Sequence, residues 1–124
     1  MLVALFLVAV LSQEGAQGYF PEHLQLAFTV NASYYSWEFE GRQMTNGERF
    51  RCKKLTLAHR TLPLGTEVEL SDETGKTIKA TVKDRGPHVK GKDIDVSLAI
   101  AEYFNFTIEG SKELKLKIIK LGVQ

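Results

Sequence analysis

Three acids fall close together in the stretch TVKDRGPHVKGKDIDVS, residues 81 to 97: Asp84, Asp93 and Asp95. Asp84 comes directly before Arg85-Gly86-Pro87, where glycine permits positive φ and proline fixes its own. The carboxylate is therefore expected on a tight turn at the end of a strand, held by stiff backbone at a rim, where an acid can exchange protons with a substrate. The competing structural role is an aspartate that caps the turn and pairs with Arg85. Asp93 and Asp95 share one face of a second strand, because Ile94 and Val96 alternate to the other. Two carboxylates about 5 to 9.5 Å apart can cleave a glycosidic bond, but spacing along the chain does not supply that distance. Asp95 has a structural alternative as well, bonding backbone near a helix that starts at Ser97, whose N-terminal end favours negative charge.

His59 closes a strand in LTLAHRTLPLGT, residues 55 to 66, which makes it a candidate cleft residue. The other histidines are His23 and His88, and no pair has the i, i+4 spacing of a helical metal site, so no metal is expected. Cys52 is the single cysteine, so no internal disulfide can form. Arg51 and Lys53 flank it and could favour a thiolate, yet no Cys-His signature surrounds it; a structural thiol is the reading.

The elements that must position these groups are short strands. The run from 26 to 37 is rich in aromatic and β-branched residues, while KLTLAH, TEVELSD, KTIKATVKD, KDIDVS and ELKLKIIKL alternate apolar with polar. Segments rich in Gly, Pro, Asn and Asp separate them, and DETGK suits a hairpin between residues 67 to 70 and 77 to 82. One short helix is expected from Ser97 as N-cap through LAIAEYF, with Ile100, Tyr103 and Phe104 on its buried face. Six strands, one or two short helices and no βαβ alternation predict a mostly β, small closed barrel.

The 124 residues, 44% hydrophobic and 25% charged, fit one globular domain. A net charge of +1 with no basic block argues against nucleic acid as a partner. MLVALFLVAVL at the start is too short to span a bilayer, which takes about 20 residues. It reads as the core of a secretory signal, with AQG at 16 to 18 as a cleavage site and a mature chain starting near Tyr19. The missing Lys or Arg before it leaves a buried first strand or a misplaced start as the alternatives. No cysteine follows that run, so no lipid anchor is expected.

ASYYS, MTNGERF, LTLAHRTLPLGT, VKDRGP and DIDVS, in this order and spacing, resemble the RlpA-like (rare lipoprotein A) domain from about Ala32 to Ile119. AHRTLP-x-G-T followed some twenty residues later by DRGP is a compound signature, stronger than any of its parts. The resemblance implies a six-stranded double-psi β-barrel over residues 26 to 121 after a signal peptide at 1 to 18. It also implies lytic transglycosylase action on bacterial peptidoglycan, as an exported monomer without cofactor. By motif, Asp84 becomes the catalytic acid and His59 the second residue of the same cleft. Tyr35, Glu48, Arg60, Arg85, His88 and Asp95 are the expected substrate contacts. Ser36 stands where the family has a glycine, and His88 where it usually has an aromatic. A lone acid must start protonated, so the resemblance calls for a raised Asp84 pKa, an Arg85 guanidinium turned away from it, and a His59 that orients it or hydrogen-bonds a sugar hydroxyl. Tyr34, Tyr35 and Trp37 offer rings to sugars, although alternation sends Tyr34 and Tyr35 to opposite faces. A non-catalytic, expansin-like wall-binding module and an inverting hydrolase using Asp93 or Asp95 as base remain open alternatives.

Overall fold

Alternation of apolar and polar residues resolves into six strands in a computed structural model that describes residues 19–123. The expected signal peptide at 1 to 18 lies outside the described residues. The strands are β1 (Ala27–Tyr34), β2 (Thr56–His59), β3 (Glu67–Ser71), β4 (Thr77–Asp84), β5 (Ile94–Val96) and β6 (Lys112–Lys120). They close into a barrel in the order β1-β5-β2-β4-β3-β6. β1 pairs with β5 and β2 with β4 in parallel, and the other four pairings are antiparallel. Neither parallel pair is consecutive along the chain: β2, β3 and β4 intervene between β1 and β5, and β3 between β2 and β4, as the double-psi topology requires.

Closure removes free sheet edges and turns every second side chain into one core. Val30, Leu57, Leu70, Val82, Ile94 and Leu116 fill it, each under a tenth exposed. In β4, Ala80 and Val82 are buried while Thr77 and Lys79 face solvent. The β3–β4 hairpin closes through Asp72, whose carboxylate accepts from the Thr74 and Lys76 N–H groups at 2.9 and 3.1 Å.

Two local expectations need correcting. The strand foreseen over 26 to 37 stops at Tyr34. The Tyr35 N–H donates to Val96 at 2.9 Å, and the chain then winds into a 3-10 turn, Trp37–Phe39, with Trp37 62% exposed. The helix α1 (Leu98–Tyr103) does begin after Ser97, but the Ser97 hydroxyl is fully buried without a partner and caps nothing. Its N–H is instead committed to the Thr56 carbonyl at 3.0 Å. Tyr103 lies off the buried face, 36% exposed, with its hydroxyl on the Thr77 carbonyl at 2.6 Å. At roughly 100° per residue, the stripe set by Ile100, Ala101 and Phe104 leaves Tyr103 at its margin.

Leu70 is fully buried, whereas its neighbour Glu69 forms only a surface ion pair with Lys117 at 3.6 Å. Urea denaturation should show Leu70→Ala losing about 2–5 kcal/mol and Glu69→Ala less than about 1 kcal/mol. Equal losses would contradict the barrel core described.

Candidate active site

Strict alternation along β4 would turn Asp84 inward, with Ala80 and Val82. It does not, because the β2–β4 register shifts: Leu57 pairs with Val82, but Ala58 pairs with Asp84. The extra residue, Lys83, is a bulge, and it moves Asp84 onto the outer face. The ladders continue from there, Ala58 beside Asp95 on β5 and Asp95 beside Ser33 on β1. Asp84, Ala58, Asp95 and Ser33 thus form a row across four strands. Beyond Asp84 the chain turns sharply, and Gly86 at φ 133° takes a conformation that side chains disfavour.

Four hydrogen bonds converge on the Asp84 carboxylate. Oδ1 accepts from the Thr45 hydroxyl at 2.7 Å, the Thr45 N–H at 3.0 Å and the Arg85 N–H at 2.9 Å; Oδ2 accepts from the Tyr35 hydroxyl at 2.9 Å. Thr45 stands on the tip of the loop over 41–50, which is pinched by the Met44 N–H on the Glu48 carbonyl and docked through the Asn46 N–H on the Lys83 carbonyl. Since β5 and β2 separate β1 from β4, the Tyr35 side chain must reach across both strands to Asp84. Its ring is wedged between Phe39 and Phe50, with centroids at 5.3 and 5.0 Å. A pocket of about 200 Å³ opens here, lined by Tyr35, Phe39, Arg42, Gln43, Met44, Phe50 and Asp84. That is below the roughly 300 Å³ at which ordinary small-molecule pockets begin, so it encloses only part of any larger ligand.

The electrostatics reverse one expectation. Partial burial pushes the Asp84 carboxyl up, but the bonds from Thr45, Arg85 and Tyr35 outweigh it and hold the group below the ordinary carboxylate value. Free Asp84 is a stabilised carboxylate and not the raised acid that the sequence called for. Burial, followed by the Asp84 charge and hydrogen bond, pushes the Tyr35 phenol far upward, so it stays a donor.

His59 is not part of this cluster. Its Nδ1 accepts from the N–H groups of Thr61 and Leu62 at 3.1 and 3.0 Å, which puts the proton of the neutral ring on Nε2. Burial first, then Arg60 and Arg85, lower its pKa and keep it neutral. Among the described residues no hydrogen bond joins His59 to Asp84; its own turn takes up Nδ1 and leaves the Nε2 N–H as the ring's available donor. The Arg85 guanidinium points away from Asp84, donating to the carbonyls of His59 and Leu62 at 3.1 and 2.6 Å. Arg60 donates to the carbonyls of Pro87 and Lys92 at 3.1 and 2.7 Å and lies 3.5 Å from Asp93. Asp93 also accepts from the Asn31 N–H at 2.8 Å. Asp95 accepts from the Ser33 hydroxyl, not from backbone near Ser97. Glu48 lies on the far side of the loop, paired with Lys83 at 2.8 Å. His88 is exposed, with its ring folded back over Gly86.

Tyr34 turns inward, packs edge-on against Phe106 and donates to the Thr107 carbonyl at 2.8 Å. Thr45 is the residue that the sequence reading missed. The signal was in MTNGERF, where Asn46-Gly47 marks a tight turn that leaves the preceding hydroxyl at its tip. Cys52 is buried, with desolvation and Glu40 raising its pKa, as suits an inert thiol.

The fold and site define a class: a closed double-psi β-barrel with a rim aspartate among aromatic rings. A family model described as "Lytic transglycolase" matches residues 27–116, and the chain belongs to this RlpA-like double-psi β-barrel family. It is 36% identical over 107 residues to the endolytic peptidoglycan transglycosylase RlpA of Neisseria meningitidis serogroup A, covering 84% of this chain and 45% of that one. The corresponding protein of Campylobacter jejuni is 31% identical over 107 residues, covering 84% and 39%. The chain therefore spans less than half the length of these relatives. Among solved structures, the Streptomyces papain inhibitor shares the fold with a TM-score of 0.62 at 22% identity, over 77% of this chain and 96% of that one.

Removing the donors around Asp84 should raise its pKa. Titration of its carboxyl carbon by NMR is expected to show Thr45→Val above wild type, with Tyr35→Phe shifted in the same direction. Because the folded-state value is depressed, the associated stability is present above the unfolded-state value and lost as pH falls through the folded one. Thr45→Val should accordingly destabilise the barrel near neutral pH more than in acid. An unchanged Asp84 titration in both variants would refute the bonding scheme.

Proposed function

We propose that the chain is an endolytic peptidoglycan lytic transglycosylase that cleaves the bond between N-acetylmuramic acid and N-acetylglucosamine and leaves 1,6-anhydromuramyl ends. The observation that carries this reading is the solitary Asp84 in the aromatic pocket, joined by donors and by no second carboxylate. One carboxyl suffices when the nucleophile belongs to the substrate. Family membership and the names of the relatives support the choice of glycan.

A glycan entering the pocket displaces water and competes with Thr45 and Tyr35 for the Asp84 oxygens. With those donors drawn away, burial becomes the dominant influence and raises the carboxyl pKa, so Asp84 takes up a proton. It delivers that proton to the glycosidic oxygen as the bond from muramyl C1 breaks, and N-acetylglucosamine leaves with a 4-hydroxyl. The muramyl 6-hydroxyl then bonds to C1 while its proton passes to the Asp84 carboxylate. Bond made and bond broken balance, and no water is consumed. Tyr35, Phe39 and Phe50 give the pocket its aromatic wall, and Tyr35 donates to the carboxylate again once product has left. His59, held by its own turn, supports the rim carbonyl to which Arg85 binds.

An inverting hydrolase has one observation in its favour. Asp95 is two strands from Asp84 in the same row, roughly 9 to 10 Å at the backbone given ordinary strand spacing, near the upper limit for inversion. Against it, the Asp95 carboxylate is turned to Ser33 on β1, away from Asp84. We take residues 26 to 121 as the working barrel and residues 1 to 18 as a signal peptide, with the substrate in the bacterial envelope and the protein acting as a monomer.

Digestion of purified glycan strands, read by mass spectrometry of the ends, decides the matter. Wild type should give anhydromuramyl ends, and Asp84→Asn should lose about 100-fold or more of the rate. Reducing ends would establish hydrolysis instead, and binding without cleavage would leave only a wall-binding module.

A further inference from the structure

A second groove adjoins the Asp84 pocket. It has a volume of about 190 Å³ and shares the Met44 side chain as a wall with the first. Lys83 lines it and Asp84 lines the other, so the bulge sends consecutive residues of β4 into neighbouring cavities. Thr81, one outward position earlier on β4, continues the track along the barrel surface.

Three cations line this groove, Arg51, Lys54 and Lys83, against the single carboxylate of Glu48. Lys83 neutralises Glu48 at 2.8 Å. Arg51 commits one amino group to Glu40 at 3.1 Å, leaving the rest of its fork to bind elsewhere. Lys54 is exposed and, among the described residues, forms no ion pair. Leu55, 40% exposed, and Met44 add apolar wall beside the charges. Counting Glu40 against Arg51, one cation, Lys54, is in excess; with the remaining Arg51 donors and a small apolar wall it suits a carboxylate carried on a short aliphatic arm.

We propose that this groove is a carboxylate-binding subsite, in which Lys54 and Arg51 hold an acidic substituent of the glycan whose backbone lies at Asp84. This rests on the glycan reading above. Two sources offer that chemistry: the lactyl carboxylate of muramic acid where no peptide is attached, and the carboxylates of a stem peptide where one is. Either would set the register of the strand, since only muramyl residues carry the acid and alternate sugars do not. The subsite therefore acts on which bond reaches Asp84.

Calorimetric titration of the full chain carrying Asp84→Asn, which suppresses cleavage, tests this with three ligands: peptide-free strands, peptide-bearing strands and a chito-oligosaccharide of equal length without carboxylates. Adding Lys54→Glu should weaken binding of a carboxylate-bearing strand roughly fivefold to tenfold and flatten its salt dependence, the scale expected when an exposed attraction becomes a repulsion. Lys54→Arg should retain the affinity, and the chito-oligosaccharide should bind equally to all three. A loss confined to peptide-free strands identifies the lactyl group, and one confined to peptide-bearing strands the stem peptide; both support the subsite. Equal losses on the chito-oligosaccharide, no loss on any strand, or no binding of any strand would overturn it. A wild-type protein that binds in this pattern but generates no anhydro ends would overturn the catalytic reading alone.

Discussion

The site depends on one shift of register. Between Leu57–Val82 and Ala58–Asp84 the β2–β4 ladder gains a residue, and Asp84 changes from a position that would point into an apolar core to one on the outer face. Had the ladder stayed regular, a carboxyl would lie beside Val82, where an unpaired charge is too costly to keep. The bulge instead sets Asp84 in a row with Ala58, Asp95 and Ser33. It also brings Lys83 and Asp84 out on either side of Met44, so the same extra residue builds both grooves. The closed barrel supplies the stiffness that makes this placement reproducible, since all six strands are paired on both sides.

What the bulge exposes, the loop over 41–50 restrains. Thr45 gives Asp84 two hydrogen bonds, Tyr35 a third, and the Arg85 backbone a fourth. Burial and hydrogen bonding oppose each other at this carboxyl, and in the free protein hydrogen bonding prevails. The two contributions respond differently to a ligand. In the proposed reaction a sugar that expels water would increase the first and, by competing for the oxygens, reduce the second, which would link glycan binding to proton uptake. A group that is an inert carboxylate alone and an acid in complex does not need a permanently raised pKa.

Much of this was legible in the sequence because it is local. Ile78, Ala80 and Val82 alternate, DETGK closes a hairpin, and Arg85-Gly86-Pro87 marks the turn behind Asp84. The shift at Lys83 was not legible, for the alternation reads unbroken through it and only the partner strand reveals the extra residue. Thr45 was hidden for a related reason, since it meets Asp84 across 39 residues of chain. His59 was placed correctly at a strand end, but the hold of its own turn on Nδ1 was not foreseen, a detail that residue type does not specify. Ser97 had the right identity for a cap and the wrong environment, because packing of Ile100 and Ala101 pulled the helix start into the core.

The central claim is that Asp84 changes protonation when glycan replaces its donors. The most direct measurement is the carboxyl carbon resonance of Asp84, followed by NMR near neutral pH, in the free protein and in complex with a thio-linked glycan that resists cleavage. An ionised carboxyl in the free state and a protonated one in the complex is the predicted result. A carboxyl that remains ionised in the complex, with the Thr45 amide still bonded to it, would contradict the account.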